Sequence, residues 1–317
     1  MRLALIDDYH PAVIVADTSV DVSGILPEVM QMPGELRLAE LIAHWPSYAS
    51  RLCDLGVGTP IAEVRLRAPL PRPAKLLCAM LSFREGMEET VVKPAFFLKS
   101  SSSVIGPGDV VELPPVDAPV FHHEAELAVV IGRRAKAVSA EEAMDYVFGY
   151  TCFMDISARG LASGVGFEDK SYDTFGPMGP WIVTADEIAD PLALQVRLWA
   201  DDQPRHDYPM RDLGNPIAAM IAHASSIATL EPGDVLTMGV NHQGLGPIQD
   251  GETLRIAIEP IGGFEVTVAD PLGRRWEKAI DRGAGQAVLR LLRGEPMGTV
   301  EWARRLDHPT RDLGMYS

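Results

Sequence analysis

Short apolar runs broken by glycine and proline set the pattern of the central chain. Runs at 75–80, 95–98, 110–113, 127–131, 181–184, 194–200, 235–238 and 254–258 are strand-length and bounded by turn residues, which predicts strands. Helical spacing is rarer. The best candidates are 140–148, which Ser139 opens as an N-cap with Glu142 three residues on, and 217–227, which follows Asn215-Pro216. Strands and helices do not alternate regularly, so the expected fold class is α+β, mainly β.

Before this region, strands at 3–6 and 12–15 and helices at 34–43 and 48–55 read as a small α/β module. Pro69, Pro71 and Pro73 stiffen 67–74 into an extended connector. From Pro271 onward, arginine-rich amphipathic helices are expected at 283–292 and 299–306. The expected organisation is a small N-terminal domain over 1–70, a core over 71–270 and a C-terminal helical extension over 271–317.

Composition narrows the class. Hydrophobic residues at 47% and charged residues at 23% are ordinary for a globular chain that buries a core. A formal charge of −16 without a basic cluster argues against nucleic acid and anionic membrane as partners. One bound divalent cation can still invert the field inside an acidic protein, so net charge does not exclude an anionic substrate. Neither a signal peptide nor a membrane span is expected, because the first apolar run is short and followed by Asp7 and Asp8. Cys53, Cys78 and Cys152 show no metal spacing and read as reduced, buried thiols of a cytoplasmic protein.

The chemistry concentrates in Phe121-His122-His123-Glu124-Ala125-Glu126-Leu127-Ala128-Val129-Val130-Ile131. Carboxylates two positions apart on a strand share a face and repel unless a cation lies between them. Asp155 ends a second apolar run, 149–154. Three carboxylates suit Mg²⁺ or Mn²⁺ better than Zn²⁺. A solvated strand face and a turn aspartate remain the alternative at this point. Lys170 stands in a polar, turn-rich stretch, where it reads either as a surface residue or as a cation facing an anionic substrate. The Gly-rich stretch 239–246 lacks the spacing of a nucleotide loop.

Taken in order, Pro94-Ala95-Phe96-Phe97-Leu98-Lys99, His123-Glu124-Ala125-Glu126-Leu127, Met144-Asp145-Tyr146-Val147-Phe148-Gly149-Tyr150, Asp155-Ile156-Ser157-Ala158-Arg159, Lys170-Ser171-Tyr172-Asp173-Thr174-Phe175, Gly179-Pro180-Trp181 and Glu231-Pro232-Gly233-Asp234-Val235 resemble the fumarylacetoacetate hydrolase family. The likeness covers about 72–270 and points to its acylpyruvase and 2-hydroxyhepta-2,4-diene-1,7-dioate isomerase branch. It implies a mixed β-roll core, Mg²⁺ (or Mn²⁺) held by Glu124, Glu126 and Asp155, Lys170 facing the substrate, and a homodimer. It also implies a small-molecule 2-oxo acid substrate, with cleavage of a carbon-carbon bond in an acylpyruvate-like acid through an enolate beside the metal. Arg159, four residues beyond Asp155, reads as support for the carboxylates from behind, with a surface cation as the alternative.

The chain departs from the family where hydrolytic members carry a lid His followed by a Glu. Gly86 stands at the His position, while Glu89 keeps the acid. The family's Thr-Gly-Thr-Pro loop reads Met238-Gly239-Val240-Asn241, which removes two hydroxyls. His242 in that loop reads either as a surface residue or as a replacement base, and Glu89 or Glu85 acting through the lid is another candidate. His123 adjoins Glu124 and should point the other way; the other histidines and the tryptophans receive no role. Substrate contact is expected from Phe83 and Arg84 on the lid 83–92, from Lys170 and from Asn241, with the loop 160–169 adding specificity. Losing an imidazole matters most for water attack, so 2-oxo acid decarboxylation or keto-enol isomerisation is the alternative chemistry. A catalytically degenerate 2-oxo acid binding protein is the alternative outside enzymes.

Overall fold

The computed structural model describes residues 1–88, 93–161 and 166–295. Glu89 and the helix expected at 299–306 lie outside the described residues, as do parts of the lid and of the loop 160–169. The largest sheet runs Thr59–Pro60, Thr18–Asp21, His10–Val15, Arg2–Ile6, Gly176–Thr184, Val147–Met154, Ala125–Ile131, Val235–Thr237, Leu76–Ala79, Phe96–Leu98. Arg2–Ile6 pairs antiparallel with Gly176–Thr184, Arg2 opposite Val183, so the N-terminal strands extend the sheet that carries the central ones. A second sheet runs Gln203–Pro209, Gln195–Ala200, Thr253–Glu259, Gly262–Ala269, Val110–Glu112. Val120–His122 and Ser157–Arg159 form a short antiparallel pair.

Mixed sheets with few helices are what the apolar pattern implied, and each run read as a strand becomes one. Ala125–Ile131 is the clearest case, because every residue in it is buried. Leu127, Val129 and Ile131 enter one core cluster, and Ala128 and Val130 enter another. By alternation Glu126 shares the face of Ala128 and Val130. That face is covered from the N-terminal segment by Val22, Leu26, Leu38, Leu41 and Ile42. The Glu126 side chain is fully buried there.

Local signals failed where sheet pairing outweighed them. The helix expected at 140–148 is only a 3-10 turn, Ala143–Tyr146, followed by the strand Val147–Met154. Ser139 and Glu142 do meet: the Glu142 N–H lies 3.3 Å from Ser139 Oγ, which lies 3.2 Å from Glu142 Oε2. The chain beyond is claimed on both sides by Ala125–Ile131 and Gly176–Thr184, and a Cβ at Gly149 would stand 2.2 Å from the Val183 carbonyl oxygen. The helix expected at 48–55 is likewise split into Trp45–Tyr48 and a 3-10 turn at Ala49–Leu52. Ile217–Ile227 forms as read, and the first C-terminal helix is Arg282–Leu292. Cys78 and Cys152 are buried free thiols, but Cys53 is exposed, a correction to the reading of all three as buried. Among the described residues no helix is long and apolar enough to cross a membrane.

Candidate active site

Ala125–Ile131 starts one residue after Glu124, so Glu124 lies in the break between two strands and Glu126 inside the second. The Asp155 N–H donates to the Glu124 carbonyl at 2.9 Å, which ties the ends of the two segments together. One carboxylate oxygen from each of Glu124, Glu126 and Asp155 lies within 4.8 Å of the others, and all three residues are buried.

Three buried carboxylates need compensation. Lys170 Nζ lies 2.8 Å from Glu124 Oε2 and 2.8 Å from Asp155 Oδ2. Lys99 Nζ lies 2.7 Å from Asp155 Oδ1, and Arg159 pairs with Glu124 Oε1. Ser157 Oγ donates to Glu124 at 3.1 Å. Burial alone would raise the Glu124 pKa, but Lys170 and Arg159 outweigh it and hold the carboxyl well below the usual range. Glu126 differs. Its Oε2 accepts the Gly239 N–H at 2.7 Å, while its Oε1 is buried without a hydrogen-bond partner. Burial, and then the charges of Asp155 and Glu124, push this carboxyl up to about 8.

An unpartnered buried carboxylate oxygen beside two further carboxylates is the feature a hard divalent cation satisfies, and an all-oxygen set is the kind that Mg²⁺ and Mn²⁺ take. The residues present therefore fit a divalent metal. Next to them a pocket is lined by Glu124, Arg159, Asp169, Lys170 and His242, with Leu81 and Phe97 among its apolar walls. Its lining offers the cations of Lys170 and Arg159 and the imidazole of His242.

Residues 75–269 match the family model described as fumarylacetoacetate (FAA) hydrolase, C-terminal. The chain belongs to the fumarylacetoacetate hydrolase family. It is 31% identical over 291 residues to maleylpyruvate hydrolase of Aquipseudomonas alcaligenes, an alignment covering 84% of this chain and 99% of that one. The crystal structure of maleylpyruvate hydrolase from Sphingobium sp. SYK-6 in complex with manganese (II) ion and pyruvate is 36% identical, with a TM-score of 0.76 over 85% of this chain and 99% of that chain. The 2-hydroxyhepta-2,4-diene-1,7-dioate isomerase structure from Mycobacterium marinum is 35% identical, with a TM-score of 0.60 over 67% of this chain and 80% of that chain. The branch read from the motifs is the one these relatives occupy.

Within this family site the structure gathers Glu124, Glu126, Asp155, Lys170, Arg159 and His242. It does not bring Phe83, Arg84 or Asn241 to the pocket walls. Phe83 is fully buried with its ring 4.9 Å from that of Tyr208, Arg84 donates to the Arg211 carbonyl, and the Asn241 amide donates to Asp212 at 2.8 Å. Three contributors escaped the sequence reading. Lys99 stood quoted in a motif without a role, although a lysine ending an apolar strand run was the available signal. Gly239 acts through its backbone N–H, which no side-chain pattern advertises. His206, given no role, is buried with its Nε2 3.2 Å from His123 Nδ1.

Proposed function

We propose that this enzyme hydrolyses the carbon-carbon bond of an acylpyruvate-like 2-oxo acid, with Mg²⁺ or Mn²⁺ held by Glu124, Glu126 and Asp155. The observation that carries the reading is the unpartnered Oε1 of Glu126 inside the buried carboxylate group, beside a pocket lined by Lys170 and His242. Support comes from relatives described as maleylpyruvate hydrolases, one of them in complex with manganese and pyruvate. When bound, the divalent cation supplies Lewis-acid polarisation of the 2-oxo group and compensates negative charge on its oxygen. Lys170 sets an ammonium beside that oxygen and cancels charge as it develops. His242 takes a proton from the attacking water. The water oxygen bonds to the acyl carbon, the bond from that carbon to C3 of the pyruvyl unit breaks, and C3 takes a proton to leave pyruvate and a carboxylic acid.

Isomerisation is the second reading, favoured by the isomerase relative and by Gly86 at the lid position, since moving a double bond needs no activated water. A homodimer in the cytoplasm completes the proposal, on the strength of the family resemblance.

The test is a steady-state assay of a panel of acylpyruvates and oxaloacetate with Mg²⁺ or Mn²⁺, alongside Glu126→Ala. Metal-dependent release of pyruvate and a carboxylic acid, lost in Glu126→Ala, is expected. Carbon dioxide or a tautomer as the only product replaces hydrolysis with decarboxylation or isomerisation. Ligand binding without turnover of any substrate leaves a degenerate binder.

A further inference from the structure

An imidazole takes a proton from water only through a ring nitrogen that carries no hydrogen. His242 Nδ1 lies 2.7 Å from Glu85 Oε1. The same carboxylate accepts the His242 backbone N–H at 3.0 and 2.9 Å and the Gln243 side-chain N–H at 2.9 Å. Burial alone would raise the Glu85 pKa, but the facing His242 and these donors outweigh it and hold the carboxyl below its ordinary value. An ionised carboxylate only accepts, so in the neutral ring Nδ1 carries the hydrogen and Nε2 keeps its lone pair. Among the described residues Nε2 has no hydrogen-bond partner. The Glu85 side chain is fully buried and that of His242 is 12% exposed, so the ring and not the acid meets the pocket.

The backbone is bent to deliver this acid. Glu85 and Gly86 are both left-handed, with φ of 56° and 79°, and the Gly86 N–H lies 3.2 Å from Asp212 Oδ1. A left-handed turn that begins on a residue with a side chain is costly, and such turns persist where the surroundings over-determine them. The opposite flank is held by the C-terminal segment. Gln243 Nε2 also donates to the Gly285 carbonyl at 3.3 Å, and the Asp281 N–H donates to the Leu245 carbonyl at 2.7 Å.

We infer that Glu85 is the positioning residue that makes His242 a base: the lid root and the Gly-rich loop, buttressed by helix Arg282–Leu292, compose a dyad whose Nε2 faces the substrate pocket. It rests on the hydrolytic reading for its role, although not for its geometry. The dyad takes over, from other positions in the chain, the task for which Gly86 has no side chain.

The experiment pairs nitrogen NMR of ¹⁵N-histidine-labelled protein, with the His242 signals assigned through His242→Gln, with acylpyruvate kinetics of Glu85→Gln. Wild type is expected to show the Nδ1–H tautomer at His242 at mildly alkaline pH, and Glu85→Gln a mixture of tautomers. Glu85→Gln should lower kcat about 10- to 1,000-fold while KM stays within about threefold, which a merely structural role would not produce. An Nε2–H tautomer in wild type, or a Glu85→Gln kcat within about twofold of wild type, overturns the inference. Should Glu85→Gln fail to fold, the wild-type tautomer decides alone. Wild type that turns over no acylpyruvate sinks the hydrolytic reading, and the tautomer still decides the dyad.

Discussion

Lys99 holds Asp155 from inside the protein: its Nζ lies 2.7 Å from Oδ1, and neither side chain is meaningfully exposed. The same ammonium also reaches the carbonyl oxygens of Ile156 and Lys170, so it joins the strand end before Asp155 to the short helix Gly166–Lys170. Removing one partner of a buried pair costs about 3–5 kcal/mol because the other charge stays behind. Asp155 keeps Lys170 at 2.8 Å, so Lys99→Met should lose less than that in metal-free urea unfolding, about 1–3 kcal/mol. The Asp155 charge, then shared by Lys170 alone, should make the Mn²⁺-induced rise in Tm larger than in wild type. Equal rises in the two proteins would show that Lys99 does not share the electrostatic load of the site.

Glu126 should respond with opposite signs in the presence and absence of metal. Its Oε1 is buried without a partner beside two carboxylates, and burial and their charges raise its pKa to about 8, so without a cation the carboxyl is mostly protonated near neutral pH. Glu126→Gln mimics that neutral form and keeps the shape. In chelated protein the variant should melt no lower than wild type, whereas the gain in Tm on adding Mn²⁺ should vanish. A variant that melts well below wild type after exhaustive chelation would contradict this account.

His206 gives the fold an acid-sensitive point beside the carboxylates. Burial, opposed by the charge of Glu124 and aided by that of His242, drives its pKa down to about 4 from the ordinary 6.5. Its neighbours are His123 at 3.2 Å and the ring of Tyr208. Because the folded value is lower, the unfolded chain binds more protons between about 6.5 and about 4. This contribution is complete above the upper value and is lost as pH falls toward the lower one, with a full extent of about 3 kcal/mol at roughly 1.4 kcal/mol per unit. Urea midpoints measured at about pH 7 and about pH 4.5 should therefore differ less in His206→Gln than in wild type. The same difference in both proteins would mean that His206 is not buried neutral.

The strands and the carboxylate group were legible because both depend on short-range patterns. Turn-bounded apolar runs identify strands such as Ala125–Ile131, and acids two apart at the head of such a run stand out. The proposed base pair was less legible. Glu85 and His242 are far apart in sequence and meet only because the Glu85-Gly86 turn and the loop at 239–246 fold against each other. Phe83, Arg84 and Asn241 had suitable chemistry and position for substrate contact, yet the fold spends them on Tyr208, Arg211 and Asp212. The segment 140–148 carried a true capping signal, but pairing on both edges of Val147–Met154 decided its conformation.

Gly239 ties the altered loop to the metal ligands through backbone alone. Its φ of 80° is left-handed, and a Cβ there would stand 2.1 Å from Ser82 Oγ and 3.1 Å from the Ala79 carbonyl oxygen. Ser82 Oγ is not free to swing away without loss, since it donates to the Met238 carbonyl. Gly239→Ala is therefore disfavoured both by dihedral and by space, and the loop must shift, taking with it the N–H that holds Glu126 Oε2. Groups that orient a metal ligand are typically worth 10- to 100-fold in affinity. Mn²⁺ titrated into Gly239→Ala, followed by calorimetry, should bind about that much more weakly than in wild type. Val240→Ala, one residue on in the same loop, changes no contact to Glu126 and should keep Mn²⁺ affinity within about threefold. Equal weakening in both variants would place the loss in general loosening of the loop and not in the Gly239 N–H.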